Sequence, residues 1–117
     1  MSDRDPDCLF CRIVAGEIPS DRVHEDDDVI AFRDITPQAP THVLVIPRRH
    51  IADAHALTDV DGHLLARLFS VVRQVADAEG LEKGYRVVTN VGPQSGQTVF
   101  HLHLHVMGGR PMSWPPG

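Results

Sequence analysis

Three histidines take alternate positions in His101-Leu102-His103-Leu104-His105-Val106, with an apolar residue after each. Side chains alternate across a β-strand, so this spacing turns the imidazoles to one face and Leu102, Leu104 and Val106 into a core. At about 3.3 Å per residue, neighbouring histidines stand roughly 7 Å apart and the outer two roughly 13 Å apart. A neutral imidazole is a competent nucleophile toward phosphorus near neutral pH, because its unperturbed pKa is about 6.5. His103 alone has a histidine on either side. Its neighbours can hold its tautomer, donate to phosphate oxygens or protonate a leaving group. A metal-binding or merely polar strand face would alternate in the same way. The preceding loop, Gly92-Pro93-Gln94-Ser95-Gly96-Gln97-Thr98, favours the phosphate reading. Its glycines and the hydroxyls of Ser95 and Thr98 suit backbone N–H groups turned toward an oxyanion.

The two cysteines, Cys8 and Cys11, are spaced three apart, which on a helical turn presents both thiols to one side. A thioredoxin-like redox pair would follow a strand in a βαβ unit, and that context is absent. The acidic start Asp3-Arg4-Asp5-Pro6-Asp7 does not read as a signal peptide, so a structural disulfide is not expected. Half of a Cys₂His₂ zinc site is the remaining reading.

These groups need a scaffold. The chain has 117 residues, enough for one core and not for two. Its net charge of −5 and 5% aromatic content lack the basic stripe and stacking platforms of a nucleic-acid binder. No apolar run approaches the roughly 20 residues of a membrane span. A cytoplasmic protein is expected, with residues 1–7 a flexible N-terminal segment and residues 8–117 a single domain.

Residues 8–15 read as a short helix ended by Gly16. Residues 22–24 and 29–33 read as a hairpin around Glu25-Asp26-Asp27-Asp28, a charged and solvated turn. Residues 42–46 form an apolar strand that Pro47 ends. The long helix spans 59–79, capped by Thr58 or Asp59 and closed by Gly80. Its apolar stripe is Leu64, Leu65, Leu68, Val71, Val72, Val75 and Ala76. Residues 85–91 and 100–107 are two further strands. The sum is an α+β fold: a five-stranded antiparallel sheet with one long helix and one or two short ones. His24, His55 and His63 are expected to face solvent, and His42 has no assigned role in the chemistry.

The residues also carry a resemblance. The alternating histidines look like the signature of the histidine-triad (HIT) superfamily. Phe32-Arg33-Asp34-Ile35-Thr36-Pro37-Gln38-Ala39-Pro40-Thr41-His42 resembles its nucleoside-binding segment, and Val45-Ile46-Pro47-Arg48-Arg49-His50-Ile51 the segment after it. The ending Gly108-Gly109-Arg110-Pro111-Met112-Ser113-Trp114-Pro115-Pro116-Gly117 is similar to that of the Hint branch, the purine nucleoside phosphoramidases. The resemblance implies a HIT-like fold and cleavage of the P–N bond in adenosine or guanosine 5′-phosphoramidates. It implies that His103 attacks the α-phosphorus to form a nucleotidyl-histidine, with His101 beside it and His105 on the phosphate. Asn90, Gly96, Gln97 and Thr98 match phosphate or leaving-group positions, and Asp34 the carboxylate on the ribose hydroxyls. Leu9, Phe10, Ile13, Phe32 and Ile35 match the walls around the purine. It further implies a structural zinc on Cys8, Cys11, His50 and His101, and a homodimer in which Trp114 lies near the partner's active site on the leaving-group side. The alternatives are a dinucleoside polyphosphate hydrolase of Fhit type and a nucleotide-binding interaction protein with vestigial catalysis.

Overall fold

In the computed structural model, residues 4–117 are described; residues 1–3 of the expected flexible segment lie outside them. Helix α1 spans Leu9–Val14 because Cys8 caps it, its Sγ accepting the Cys11 N–H at 3.4 Å. Gly16, at φ 79°, lets the chain leave the helix. Ahead of α1, the Cys8 N–H donates to the Asp5 carbonyl at 3.0 Å, and Arg4 pairs with Glu17.

Strands β1 (Arg22–Glu25) and β2 (Val29–Arg33) form the expected hairpin. Its turn is not simply solvated. Asp26 Oδ1 accepts the N–H groups of Asp28 and Val29 at 2.8 and 2.9 Å, while its Oδ2 meets His24 Nε2 at 2.6 Å and Arg67 at 2.7 Å. His24 is therefore held by Asp26 rather than left to solvent, whereas His55 and His63 are exposed. Burial alone would push the Asp26 carboxyl up, but the bonds from His24, the two amides and Arg67 hold it well below the usual range.

Strand β3 (Thr41–Pro47) is buried along its whole length, as the apolar run of residues 43–47 requires, and burial extends to the polar Thr41 and His42 at its start. The long helix, α2, spans Gly62–Ala78 and starts later than expected. Thr58 and Asp61 cap each other reciprocally, so Asp59–Asp61 closes as a 3₁₀ turn before the α-helix begins. Strands β4 (Tyr85–Val88) and β5 (Leu104–Gly108) complete the sheet, all pairs antiparallel in the order β1-β2-β3-β5-β4.

Both final strands are shorter than the 85–91 and 100–107 expected, so His101 and His103 precede the ladder. Side chains cap the main-chain groups there. His101 Nε2 takes the Pro47 carbonyl at 2.8 Å, Thr89 Oγ1 donates to the His103 carbonyl at 2.9 Å, and the Leu102 N–H goes to Ile51 O at 2.6 Å. With those partners satisfied off the sheet, the β3–β5 pairing stops at Val45 opposite Leu104.

Strand alternation divides the core. Val29, Ala31, Val43, Val45, Leu104 and Val106 pack under α2 against Leu68, Val71, Val72 and Val75. Ile30, Phe32, Leu44 and Ile46 face the other way, against Phe10 and Ile13 of α1. Each such fully buried side chain contributes about 1.5–3 kcal/mol of transfer free energy. Leu65 does not join the stripe; with Phe69 it is 39% and 47% exposed.

Candidate active site

Helix α1 and the end of β3 converge on the segment leading into β5, and the side chains there fall into two groups. The first is Cys8, Cys11, His50 and His101, whose donor atoms all lie within 4.8 Å of one another. His101 Nδ1 is 3.5 Å from both sulfurs, and His50 Nδ1 is 3.3 Å from Cys11 Sγ. A tetrahedral zinc with bonds near 2.3 Å to sulfur and 2.0–2.1 Å to nitrogen needs S···N edges of about 3.5 Å. The protonation pattern fits as well. His101 Nε2 must carry its proton to donate to Pro47 O, which leaves the Nδ1 lone pair aimed at the thiols.

The second group is Asp34, His42 and His105, also clustered within 4.8 Å. Here the hydrogen bonds argue against a metal. The Gln38 backbone N–H donates to His42 Nδ1 at 3.0 Å, so the His42 proton sits on Nε2, the atom that faces the cluster. That Nε2–H donates to His105 Nδ1 at 2.8 Å. His105 therefore carries its own proton on Nε2. A relay of three donors runs from the Gln38 amide through two imidazoles. Sequence reasoning gave His42 no part in the chemistry. The available signal was a buried histidine at the head of an apolar strand, sharing a face with Leu44, the register partner of His105.

His103 lies between the groups. Its Nδ1–H donates to the His101 carbonyl at 2.7 Å, so its Nε2 keeps a lone pair. Its ring centroid is 5.0 Å from that of His105 and 5.1 Å from that of Phe10, which also makes edge contact with His101. Neighbouring hydrogen bonds thus leave one imidazole with a bare nitrogen and the next with an N–H. Burial pushes the pKa of His103 down, offset in part by the His101 carbonyl and the Asp34 charge. Burial, reinforced by repulsion from His103 and His42, takes His105 to about 4. His101 is also pushed to about 4, mainly by burial. The imidazoles are neutral at physiological pH.

The HIT-domain family profile matches residues 15–112, most of the chain. The chain belongs to the HIT family. It is 51% identical over 111 residues to an uncharacterized HIT-like protein of Synechococcus elongatus, covering 95% of this chain and 97% of that one. It is 48% identical over 113 residues to a 14 kDa zinc-binding protein of Brassica juncea, covering 95% and 100%. Among solved structures, a HIT family hydrolase from Legionella pneumophila superposes with a TM-score of 0.93 at 54% identity, covering 95% and 100%.

In this HIT protein Asp34 is anchored through one carboxylate oxygen and turns the other toward His42. Its Oδ1 accepts the N–H and hydroxyl of Thr36 at 2.8 and 3.1 Å, while Oδ2 is 3.5 Å from His42 Nε2. Phe10, Ile13 and Phe32 are buried in the α1-side core, whereas Leu9 is half exposed and Ile35 is 95% exposed. In the loop, Gly96 at φ 92° adopts a left-handed conformation that a side chain would strain. Asn90 Nδ2 donates to Ser95 O at 2.7 Å. Gln97 is turned inward: Oε1 accepts the Gly92 N–H at 2.8 Å, and Nε2 donates to Ala52 O and Val99 O at 3.0 and 3.2 Å. Thr98 is exposed, and Trp114 is 82% exposed on the C-terminal segment. Arg86 and Arg110 hold that segment by donating to Ser113 O and Gln38 O at 2.8 and 3.0 Å.

Proposed function

We propose that this HIT protein is a nucleotide hydrolase that cleaves the P–N bond of purine nucleoside 5′-phosphoramidates through a nucleotidyl-His103 intermediate. The observation that carries the reading is the proton pattern. His103 offers a bare Nε2 and His105 an Nε2–H beside it, which is the pairing a phosphoryl acceptor and an oxyanion donor require. In the first step His103 Nε2 forms a bond to the α-phosphorus, and the phosphorus–amine bond breaks as the amine departs with a proton taken from solvent. Water then displaces the imidazole, releasing the nucleoside monophosphate. A neutral imidazole avoids the repulsion that an anionic phosphoramidate imposes on hydroxide, and positioning supplies the rest.

Asn90, Gly96 and Thr98 are assigned to the phosphate, with Gln97 shaping their loop from inside. Asp34 is assigned to the ribose hydroxyls; its Oδ2, outside the Thr36 bonds and 3.5 Å from His42 Nε2, supports this. Leu9, Phe10, Ile13, Phe32 and Ile35 are assigned to the purine side, and Trp114 to the leaving group. Zinc is proposed for the Cys8, Cys11, His50 and His101 cluster, supported by the donor spacing and by the Brassica relative's name. With four protein ligands it would be structural, fixing α1 against the segment that carries His103. His101 then acts as a positioning residue whose carbonyl orients the nucleophile.

A homodimer is proposed through α2 and the free edge of β4, where Leu65, Phe69 and Tyr85 are exposed. A cytoplasmic location is proposed on the two free cysteines; no helix among the described residues is long and apolar enough to cross a membrane. The test is His103→Ala assayed with an adenosine phosphoramidate and with AMP. Turnover should vanish while AMP still binds; substantial residual turnover would refute the assignment. A diadenosine polyphosphate run in parallel separates the Fhit-type alternative. Tight nucleotide binding without turnover in the unaltered protein would favour an interaction protein.

A further inference from the structure

Cys8 and Cys11 are free thiols at the start of α1, three residues apart. First-turn geometry places their Cα atoms about 5–6 Å apart, inside the window of roughly 4.4–6.8 Å that a disulfide spans. The thiols are not equally reachable. Cys11 is 1% exposed, but Cys8 is 8% exposed and lines a groove of about 350 Å³ between α1 and the 98–100 segment, with His50, Thr98 and Phe100. A small oxidant entering that groove meets Cys8 first, with Cys11 behind it.

We propose that Cys8 and Cys11 are a redox modification site, joined by hydrogen peroxide into a reversible disulfide that releases the bound metal and slows turnover. The inference rests on the zinc and hydrolase readings only for its consequences; the disulfide itself does not depend on them. The chemistry balances with the peroxide as named oxidant. The two thiols each give up one electron and one proton and become one S–S bond; hydrogen peroxide takes both electrons and both protons and leaves as two waters.

The consequence follows from what the sulfurs touch. His101 is fully buried and its Nδ1 has both sulfurs at 3.5 Å. Drawing the sulfurs to about 2.05 Å from each other redirects them away from that nitrogen and leaves it without a partner. The backbone carbonyl of the same residue holds the His103 ring. A change in the thiol pair therefore reaches the nucleophile through two non-covalent contacts, sulfur to His101 Nδ1 and the His101 carbonyl to His103 Nδ1.

The experiment treats the reduced, full-length protein, its zinc content already measured, with graded hydrogen peroxide. Trypsin releases residues 5–12 as one peptide that contains both cysteines and no methionine, so its mass reports the thiols alone. The expected result is loss of two hydrogens from that peptide in step with release of bound zinc. Turnover should fall about tenfold, the scale of one lost buried hydrogen bond. A dithiol reductant with added zinc should restore it. A peptide that stays reduced, or only gains oxygen, overturns the proposal. So does a disulfide that leaves turnover unchanged, or a loss that reductant and zinc do not reverse. Absence of zinc before peroxide would count against the zinc reading alone, since the peptide mass still decides the disulfide.

Discussion

Replacing His42 tests whether the imidazole relay governs the chemistry. His42→Asn keeps an acceptor near the Gln38 N–H but loses the Nε2–H that reaches His105 Nδ1 at 2.8 Å. His42→Gln places an amide N–H near the lost position. Losing the donor leaves a buried nitrogen unpaired, at a cost of about 1–3 kcal/mol, and frees His105 to shift its proton away from the substrate. Taking about 1.5 kcal/mol as the share felt in the transition state, kcat should fall roughly tenfold. His42→Gln should recover most of it. The assay is steady-state turnover of an adenosine phosphoramidate, paired with imidazole ¹⁵N shifts that report which His105 nitrogen carries the proton. In the unaltered protein that proton belongs on Nε2; in His42→Asn the two tautomers should mix. The pKa of about 4 at His105 adds a pH signature. Its neutral form persists down to roughly that value, so kcat should be flat through neutrality and decline only in acid. A folded His42→Asn protein with unchanged kcat and an unshifted His105 tautomer would refute the relay.

Other outcomes are expected. Asp26→Asn should cost about 1–2 kcal/mol at pH 7 by weakening charged hydrogen bonds to the hairpin turn, His24 and Arg67. Because folding lowers the Asp26 pKa, its stabilisation is full above the unfolded value near 4 and disappears as pH falls through the folded one. Urea titrations of the two proteins should therefore converge in strong acid. Phe69→Glu should shift the chain to monomer in sedimentation equilibrium, and an unchanged assembly would remove α2 from the interface. Asp34→Ala should weaken AMP binding about tenfold but 2′-deoxy-AMP much less, since its partner on the sugar is a hydroxyl donor; equal losses would displace Asp34 from the ribose.

Much of the scaffold was legible from residue order, for reasons that are local. The apolar run of residues 43–47 in β3, the hairpin and the stripe of α2 are patterns that burial imposes. The thiol pair and the alternating histidines were equally plain. The errors arose where side chains compete for main-chain groups. Thr58 and Asp61 delay α2 by closing a 3₁₀ turn, and His101 and Thr89 take the carbonyls that would have lengthened the last ladder. His42 escaped notice because its role is a proton position set by Gln38, and sequence spacing does not reveal a tautomer. Asp26 looked like one acid in a solvated run because its partner Arg67 lies on a different element.

The central claim is that His103 carries the nucleotide between two half-reactions. Mixing the protein with an adenosine phosphoramidate and quenching within one turnover in alkaline denaturant should preserve an N-linked adenylate, which acid would destroy. Fragmentation of the labelled peptide is expected to place the adenylate on His103, with none in His103→Ala. An adenylate on another residue, or full single-turnover cleavage by His103→Ala, would contradict the account.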